Sequence, residues 1–247
     1  MQPQVSRRMN DMHTPLRVTV LACSFIVVSC GALPSSDRSA PAHGAFTAAE
    51  VPGTWTLTDD ENVTFDVVLS AEGTAVSNWS KGPQGAKGEE GRWALKDGCI
   101  EIDYTDGWHD SIIRDDRGWL LKQSYAPGAS RSGPPTNHGQ AVRTPEALAR
   151  WVGLYETQSQ ESAGKQTFRI AIQSSHVAWK TIGTPTMGSW WVIDDRVHIR
   201  WADGWIDELH AEAKAWASRT WQAGTALDAT GTPVGAPTFQ GRGRKVK

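Results

Sequence analysis

Asp110 and Asp207 are the acids whose placement promises chemistry. Each follows an Asp-Gly-Trp step, at 106–108 and 203–205, and each lies in a segment that occurs twice at an offset of 97 residues. GRWALKDGCIEIDYTDGWHDSI (91–112) and GSWWVIDDRVHIRWADGWIDEL (188–209) share 8 of 22 positions, among them Trp93/Trp190, Ile102/Ile199 and Trp108/Trp205. Ahead of each turn, apolar residues alternate with polar ones: Ile100, Ile102 and Tyr104 with Glu101 and Asp103, and Val197, Ile199 and Trp201 with His198 and Arg200. Period-two alternation marks a strand with one wet face. Asp-Gly then marks a tight turn. Two registers fit. A two-residue turn sets Trp108 opposite Thr105. A three-residue loop with a glycine bulge sets it opposite Tyr104, and this second register is favoured. It puts both aspartates on the apolar face, opposite Ile102 and Ile199. A carboxylate there needs donors. Either an indole N–H or a turn amide satisfies it and pins the hairpin, or it anchors the polar end of a ligand, with Trp108 and Trp205 as neighbouring rings. Trp191, beside the inward Trp190, is the candidate exposed aromatic. It would stack on a sugar, bind a partner or cover a seam between the repeats.

Catalytic patterns are not evident. The chain has no G-x-S-x-G, H-E-x-x-H, P-loop or cysteine-pair metal motif. His109, His138, His176, His198 and His210 fall at unmatched positions; His198 and His210 face across the second hairpin and read as exposed strand residues. Cys99 has Arg196 as its counterpart and reads as a bystander at a strand start. No catalytic residue, metal site or cofactor is expected.

The repeat sets the architecture. Its outer members include Gly53-Thr54-Trp55 with Gly153-Leu154-Tyr155, Tyr125 with Trp221, and Pro135-Thr136 with Pro237-Thr238. Of 13 tryptophans, eight form the pairs 79/179, 93/190, 108/205 and 119/216. Recurrence at fixed positions points to an aromatic core. Strands are predicted at 53–58, 62–70, 73–80, 91–96, 100–104, 108–112 and 118–125, with counterparts in the second copy. A short helix is predicted over 146–151, with Thr144 as its cap and Pro145 in its first turn. The Lys81–Glu90 segment reads as a mobile hairpin loop, and 126–140 and 222–241 as long loops with defined paths. The fold class is all-β: two tandem antiparallel meanders of six or seven strands, each a small barrel or barrel-like sheet with an N-terminal helical turn. The entry Gly53-Thr54-Trp55 resembles the G-x-W at the first strand of lipocalin-like and avidin-like barrels, which implies a closed sheet.

The N-terminus is read as a targeting segment. Arg7, Arg8 and Arg17 precede an apolar run from Val18 to Val28, which is too short to span a bilayer. It ends Val27-Val28-Ser29-Cys30, which resembles a bacterial lipobox. The resemblance implies a lipoprotein in which Cys30 carries the lipid, exported to the cell envelope, and in a Gram-negative host to the outer membrane, since Gly31 is no retention signal. The expected organisation is a signal peptide over 1–29, a small-residue tether over 30–45, repeat one over 46–143 and repeat two over 144–247. The mature chain would carry 22 basic and 26 acidic side chains, a net −4. That balance argues against a nucleic-acid partner. Expected partners are the membrane, through the lipid, and a small molecule, glycan or envelope protein. The favoured function is a non-catalytic binding module. A structural lipoprotein and an envelope hydrolase are the alternatives.

Overall fold

Alternating burial turns each repeat into an antiparallel meander, and each meander closes on itself. The structure, a computed structural model, describes residues 44–79, 88–161, 164–182, 186–212 and 215–247. The segment read as an export signal, Cys30, nearly all of the segment read as a tether and most of the Lys81–Glu90 segment lie outside the described residues.

Barrel one consists of β1 (Gly53–Thr58), β2 (Thr64–Leu69), β3 (Thr74–Ser77), β4 (Glu89–Lys96), β5 (Cys99–Tyr104), β6 (His109–Arg114), β7 (Leu120–Tyr125) and β8 (Asn137–Arg143). Each strand pairs with the next, and β8 returns to β1 with Val142 opposite Thr56. Barrel two repeats this with β9 (Gly153–Glu161), β10 (Gly164–Ile172), β11 (Val177–Lys180), β12 (Thr186–Ile193), β13 (Arg196–Trp201), β14 (Ile206–Glu212), β15 (Ala215–Trp221) and β16 (Phe239–Lys245). It closes with Arg244 opposite Glu156. Among the described residues each strand thus has a paired neighbour on both sides, and neither sheet ends in a free edge strand.

The inward residues are those the alternation marks. Ile100, Ile102 and Ile112 of barrel one, and Val197 and Ile199 of barrel two, are fully buried. Burying each such side chain is worth about 1.5–3 kcal/mol. One end of each barrel is stoppered by the segment that enters it. In barrel one, Phe46 meets Trp55 edge-on at 5.7 Å, and the Trp55 indole donates to Val51 O at 2.9 Å. In barrel two the stopper is the short helix α1 (Glu146–Ala149) with Trp151, and Tyr155 Oη donates to Trp151 O at 2.6 Å. Barrel-one and barrel-two strands also touch. Asn78 Nδ2 donates to Ile172 O at 2.7 Å, Ser174 N donates to Asp66 Oδ2 at 2.8 Å, and Val76 packs with Leu154, Ala171, Val246 and Trp179.

Three expectations are corrected. Each barrel has eight strands: β8 and β16 occupy the ends of segments read as loops. Their inward positions include Gly139 and Gly241, so apolar alternation is faint there. Thr144 does not cap α1, whose N-cap is Pro145 with no side-chain bond; the Thr144 hydroxyl lies 2.8 Å from Thr56 Oγ1 instead. Two tryptophan pairs are out of register. Val67 faces Ser77 and its counterpart Ile170 faces Lys180, so Ser77 matches Lys180, and Val76, not Trp79, matches Trp179. Asp110 faces Ser124 and Asp207 faces Thr220, so Leu120, not Trp119, matches Trp216.

Candidate functional site

The hairpin that carries Asp110 has the bulged register. Tyr104 N donates to Trp108 O at 2.9 Å, Gly107 N to Tyr104 O at 3.1 Å, and Ile102 stands opposite Asp110. Gly107 takes φ +92°, the left-handed region such a turn requires. The second hairpin is the same: Trp201 N donates to Trp205 O at 2.9 Å, and Ile199 stands opposite Asp207. Both aspartates therefore point into their barrels, at the ends away from the stoppers.

Asp110 is buried and accepts two hydroxyl hydrogen bonds, from Tyr104 at 3.1 Å and from Ser124. Burial raises its pKa, against the pull of Lys122 and the two hydroxyls. Lys122 is buried as well. Desolvation lowers its pKa, while the Asp110 charge works the other way. Its ammonium lies 5.2 Å from the centre of the Phe65 ring and donates to Asn137 Oδ1 at 3.0 Å. Burial also lifts the Tyr104 phenol well above its ordinary value, so it remains a neutral donor. These groups surround a pocket of about 100 Å³ at the barrel mouth. Phe65, Trp79 and Trp108 form its apolar wall, and Asp59, Glu89, Asp110, Lys122, Ser124 and Asn137 its polar one. An acid and an amine facing aromatic rings suit a small group rich in hydroxyls, held by hydrogen bonds at its edge and by ring contact on its face.

Asp207 has a different setting. It accepts the Trp201 indole N–H at 2.7 Å and the Thr220 hydroxyl at 2.6 Å, and burial raises its pKa. Here the lysine comes from β11: Lys180 pairs with Asp203 at 3.0 Å and lies 4.7 Å from the centre of the Trp201 ring. Phe239 takes the place of Asn137 and stacks on Trp205 at 6.0 Å, with the rings 15° apart. At the mouth of barrel two, Phe239 and Trp205 thus stand where barrel one has Asn137 and Trp108.

Trp191 is not an exposed aromatic. It is half-buried on the outer face of barrel two, stacked on His198 at 5.8 Å, and the loop after β15 covers it at Gly231. His198 is likewise buried, not an exposed strand residue. It lies 3.3 Å from Glu208, which also meets Arg196 at 2.7 Å, His210 at 3.3 Å and Arg219 at 3.5 Å. Burial works to raise Glu208, but His198 and Arg196 outweigh it and hold its pKa at about 2. Trp191 Nε1, both nitrogens of His198 and Nδ1 of His210 are buried without a well-formed hydrogen bond.

Sequence reading missed a matching cluster on the outer face of barrel one. His109 is buried, with Nδ1 2.9 Å from Asp103 and Nε2 2.5 Å from Glu101. Ser111 lies 3.3 Å from the ring, but its hydroxyl donates to Glu101 at 2.9 Å. Arg131, from the loop after β7, binds Asp103 from above. The serine is thus engaged with a carboxylate rather than poised as a nucleophile, and the cluster fastens loop to barrel. The signal was present in the register: once Ile102 faces Asp110, Asp103 must face His109 and Glu101 must face Ser111.

Among the described residues, no group of three or more His, Cys, Asp or Glu is placed to hold a metal ion. Cys99 opens β5, and burial raises its thiol pKa. Comparison with known proteins finds no family model, no curated protein and no solved structure that matches the chain.

Proposed function

We propose that the protein is an exported, lipid-anchored binding module in which barrel one takes a small, hydroxyl-rich molecule, or the terminal unit of a larger envelope glycan, at the mouth beside Asp110. The observation that carries this reading is the Asp110 pocket itself. It joins an acid, an amine and four aromatic rings at a position where both barrels carry an inward carboxylate, and barrel two has Phe239, stacked on Trp205, in place of Asn137. A volume of about 100 Å³ is below the usual range for a whole drug-sized ligand, so the pocket suits one ring or one end of a chain. The role is recognition: hydrogen bonds to Asp110, Ser124 and Asn137 fix orientation, and Trp79 and Trp108 supply contact area. Lipid at Cys30 and export to the envelope follow from the lipobox resemblance and belong to the same proposal.

Native mass spectrometry of the protein isolated from its own envelope tests the reading. A discrete extra mass, released on denaturation and absent from Asp110→Ala, is the expected result. A bare chain mass from the intact protein, unchanged after incubation with envelope glycan fragments, would count against a ligand in barrel one.

A further inference from the structure

The stoppered end of barrel one carries an exposed apolar patch. Trp119, at the tip of the Arg114–Trp119 hairpin, is 63% exposed, and Val142 beside it is 52% exposed. They belong to one shallow groove with Arg117, Leu120 and Arg143. The hairpin is well made, so the exposure is not a frayed end. Asp115 N donates to Trp119 O at 2.9 Å, and Asp115 Oδ1 accepts from the amides of Arg117 at 3.0 Å and Trp119 at 2.7 Å. A stable turn that presents an indole to solvent calls for an occupant.

The path of the chain points to that occupant. Gly44, the first described residue, runs against this same hairpin: a Cβ there would lie 3.2 Å from Arg114 O and 3.6 Å from Asp115 O. Phe46 continues the contact beneath the Arg114 guanidinium, 4.7 Å from the centre of its ring. Only residues 31–43 separate Cys30 from Gly44, and thirteen residues span at most about 45 Å. A lipid on Cys30 would therefore keep this end of barrel one within about 45 Å of the bilayer, a confinement that raises the effective concentration of even a weak contact.

We propose that the Arg114–Trp119 hairpin rests on the bilayer, with Trp119 in the interfacial layer, so that the Asp110 pocket opens away from the membrane. The proposal rests on the reading of Cys30 as the lipidated residue. Tryptophan favours the headgroup level, where its ring is buried and its N–H stays wet. Arg117 adds a guanidinium matched to lipid phosphate. The orientation follows from β6, which has Asp110 near its start at the open mouth and Arg114 at its end.

The test uses lipidated full-length protein in vesicles of phosphatidylethanolamine and phosphatidylglycerol, 3:1, some containing a nitroxide lipid. In a Cys99→Ser background, a fluorophore is placed by Asp116→Cys at the hairpin tip, or by Asp106→Cys at the opposite, exposed turn. The expected result is quenching at position 116 about threefold or more above that at 106, falling to the level of 106 when Trp119→Ala is added. Equal quenching at the two positions in protein that floats with the vesicles overturns the proposal and leaves the anchor standing. A chain whose Cys30 peptide has no lipid mass and which fails to float overturns the anchor and the proposal together. Shielding of position 116 only when other envelope proteins are present also overturns it, in favour of a protein partner.

Discussion

Two barrels built on one plan end in two different mouths. In barrel one, Asp110 shares a pocket with Lys122, Asn137 and Trp79. In barrel two, Lys180 stands on another strand and is bound to Asp203, and Phe239 lies over Trp205. The features common to both are those of the hairpin: a bulged Asp-Gly turn, an inward carboxylate and two donors that hold it. What differs is the ring of residues around the carboxylate. The shared aspartate is thus explained by folding, and the pocket of barrel one by what was added to it. The largest consequence concerns Asp110 and Asp207 themselves. Asp110→Ala leaves the buried Tyr104 and Ser124 hydroxyls without their acceptor and removes the largest of the negative charges that act on Lys122, and should cost about 2–5 kcal/mol. Asp207→Ala leaves Lys180 its ion pair with Asp203 and strands the buried Trp201 indole N–H and the part-buried Thr220 hydroxyl, a cost of about 1–3 kcal/mol. Urea unfolding of the two variants measures both; equal losses would mean that Lys122 does not depend on Asp110.

The outer faces offer a second contrast. Barrel one ties His109 to Glu101 and Asp103, whereas barrel two ties Glu208 to His198, Arg196, His210 and Arg219. Glu208 titrates at about 2 in the folded chain, against an ordinary 4.5. Its folded pKa is depressed, so the stabilisation is complete above about pH 4.5 and is lost as the pH falls towards 2. The full effect is about 3 kcal/mol. Glu208→Gln should be less stable than the parent at pH 6, and the gap should narrow below about pH 4.5 and close only below about pH 2. A gap that does not vary with pH would show that Glu208 keeps an ordinary pKa.

The hairpin was legible in the sequence because its signals are local. Ile100, Ile102 and Tyr104 alternate without interruption into Asp106-Gly107, and the bulge then fixes Asp110 opposite Ile102. The tryptophan pairs were less legible because the loops of the two copies differ in length. Trp55 matches Tyr155 at an offset of 100, Val67 matches Ile170 at 103 and Ser124 matches Thr220 at 96. A constant offset slips across these changes, and in a strand a slip of one residue exchanges the faces. Trp119 therefore reaches solvent while Trp216 packs on Tyr155 at 4.9 Å. The pocket was invisible for a related reason. Lys122 and Asn137 meet Asp110 only through pairing across β6, β7 and β8, and β8 itself lacks a strong apolar rhythm.

The turn glycines should behave alike, because they belong to the shared hairpin. Gly107 and Gly204 have φ of +92° and +85°, and a Cβ at either would meet Pro127 or Ala223 at 3.2 Å. Ala at each position should cost about 1–2 kcal/mol through the left-handed backbone. The two losses should agree within the error of thermal or urea unfolding. A large difference would show that one hairpin is held by its surroundings more than by its own turn.

The smallest change in stability should carry the clearest change in function. Asn137→Phe gives barrel one the ring that stacks on Trp205 in barrel two. It removes the acceptor of Lys122, a loss of about 1 kcal/mol, and sets an aromatic face in the pocket near Trp108, which recovers part of it. The reciprocal Phe239→Asn removes the stack on Trp205, worth about 0.5–1.5 kcal/mol. If the mouths differ because only one is a binding site, the first variant loses its bound mass in native spectrometry while its melting point hardly moves, and the second keeps the mass of the parent. Retention of ligand by Asn137→Phe would place the binding surface away from the mouth of barrel one. The difference between the two barrels would then be a matter of packing alone.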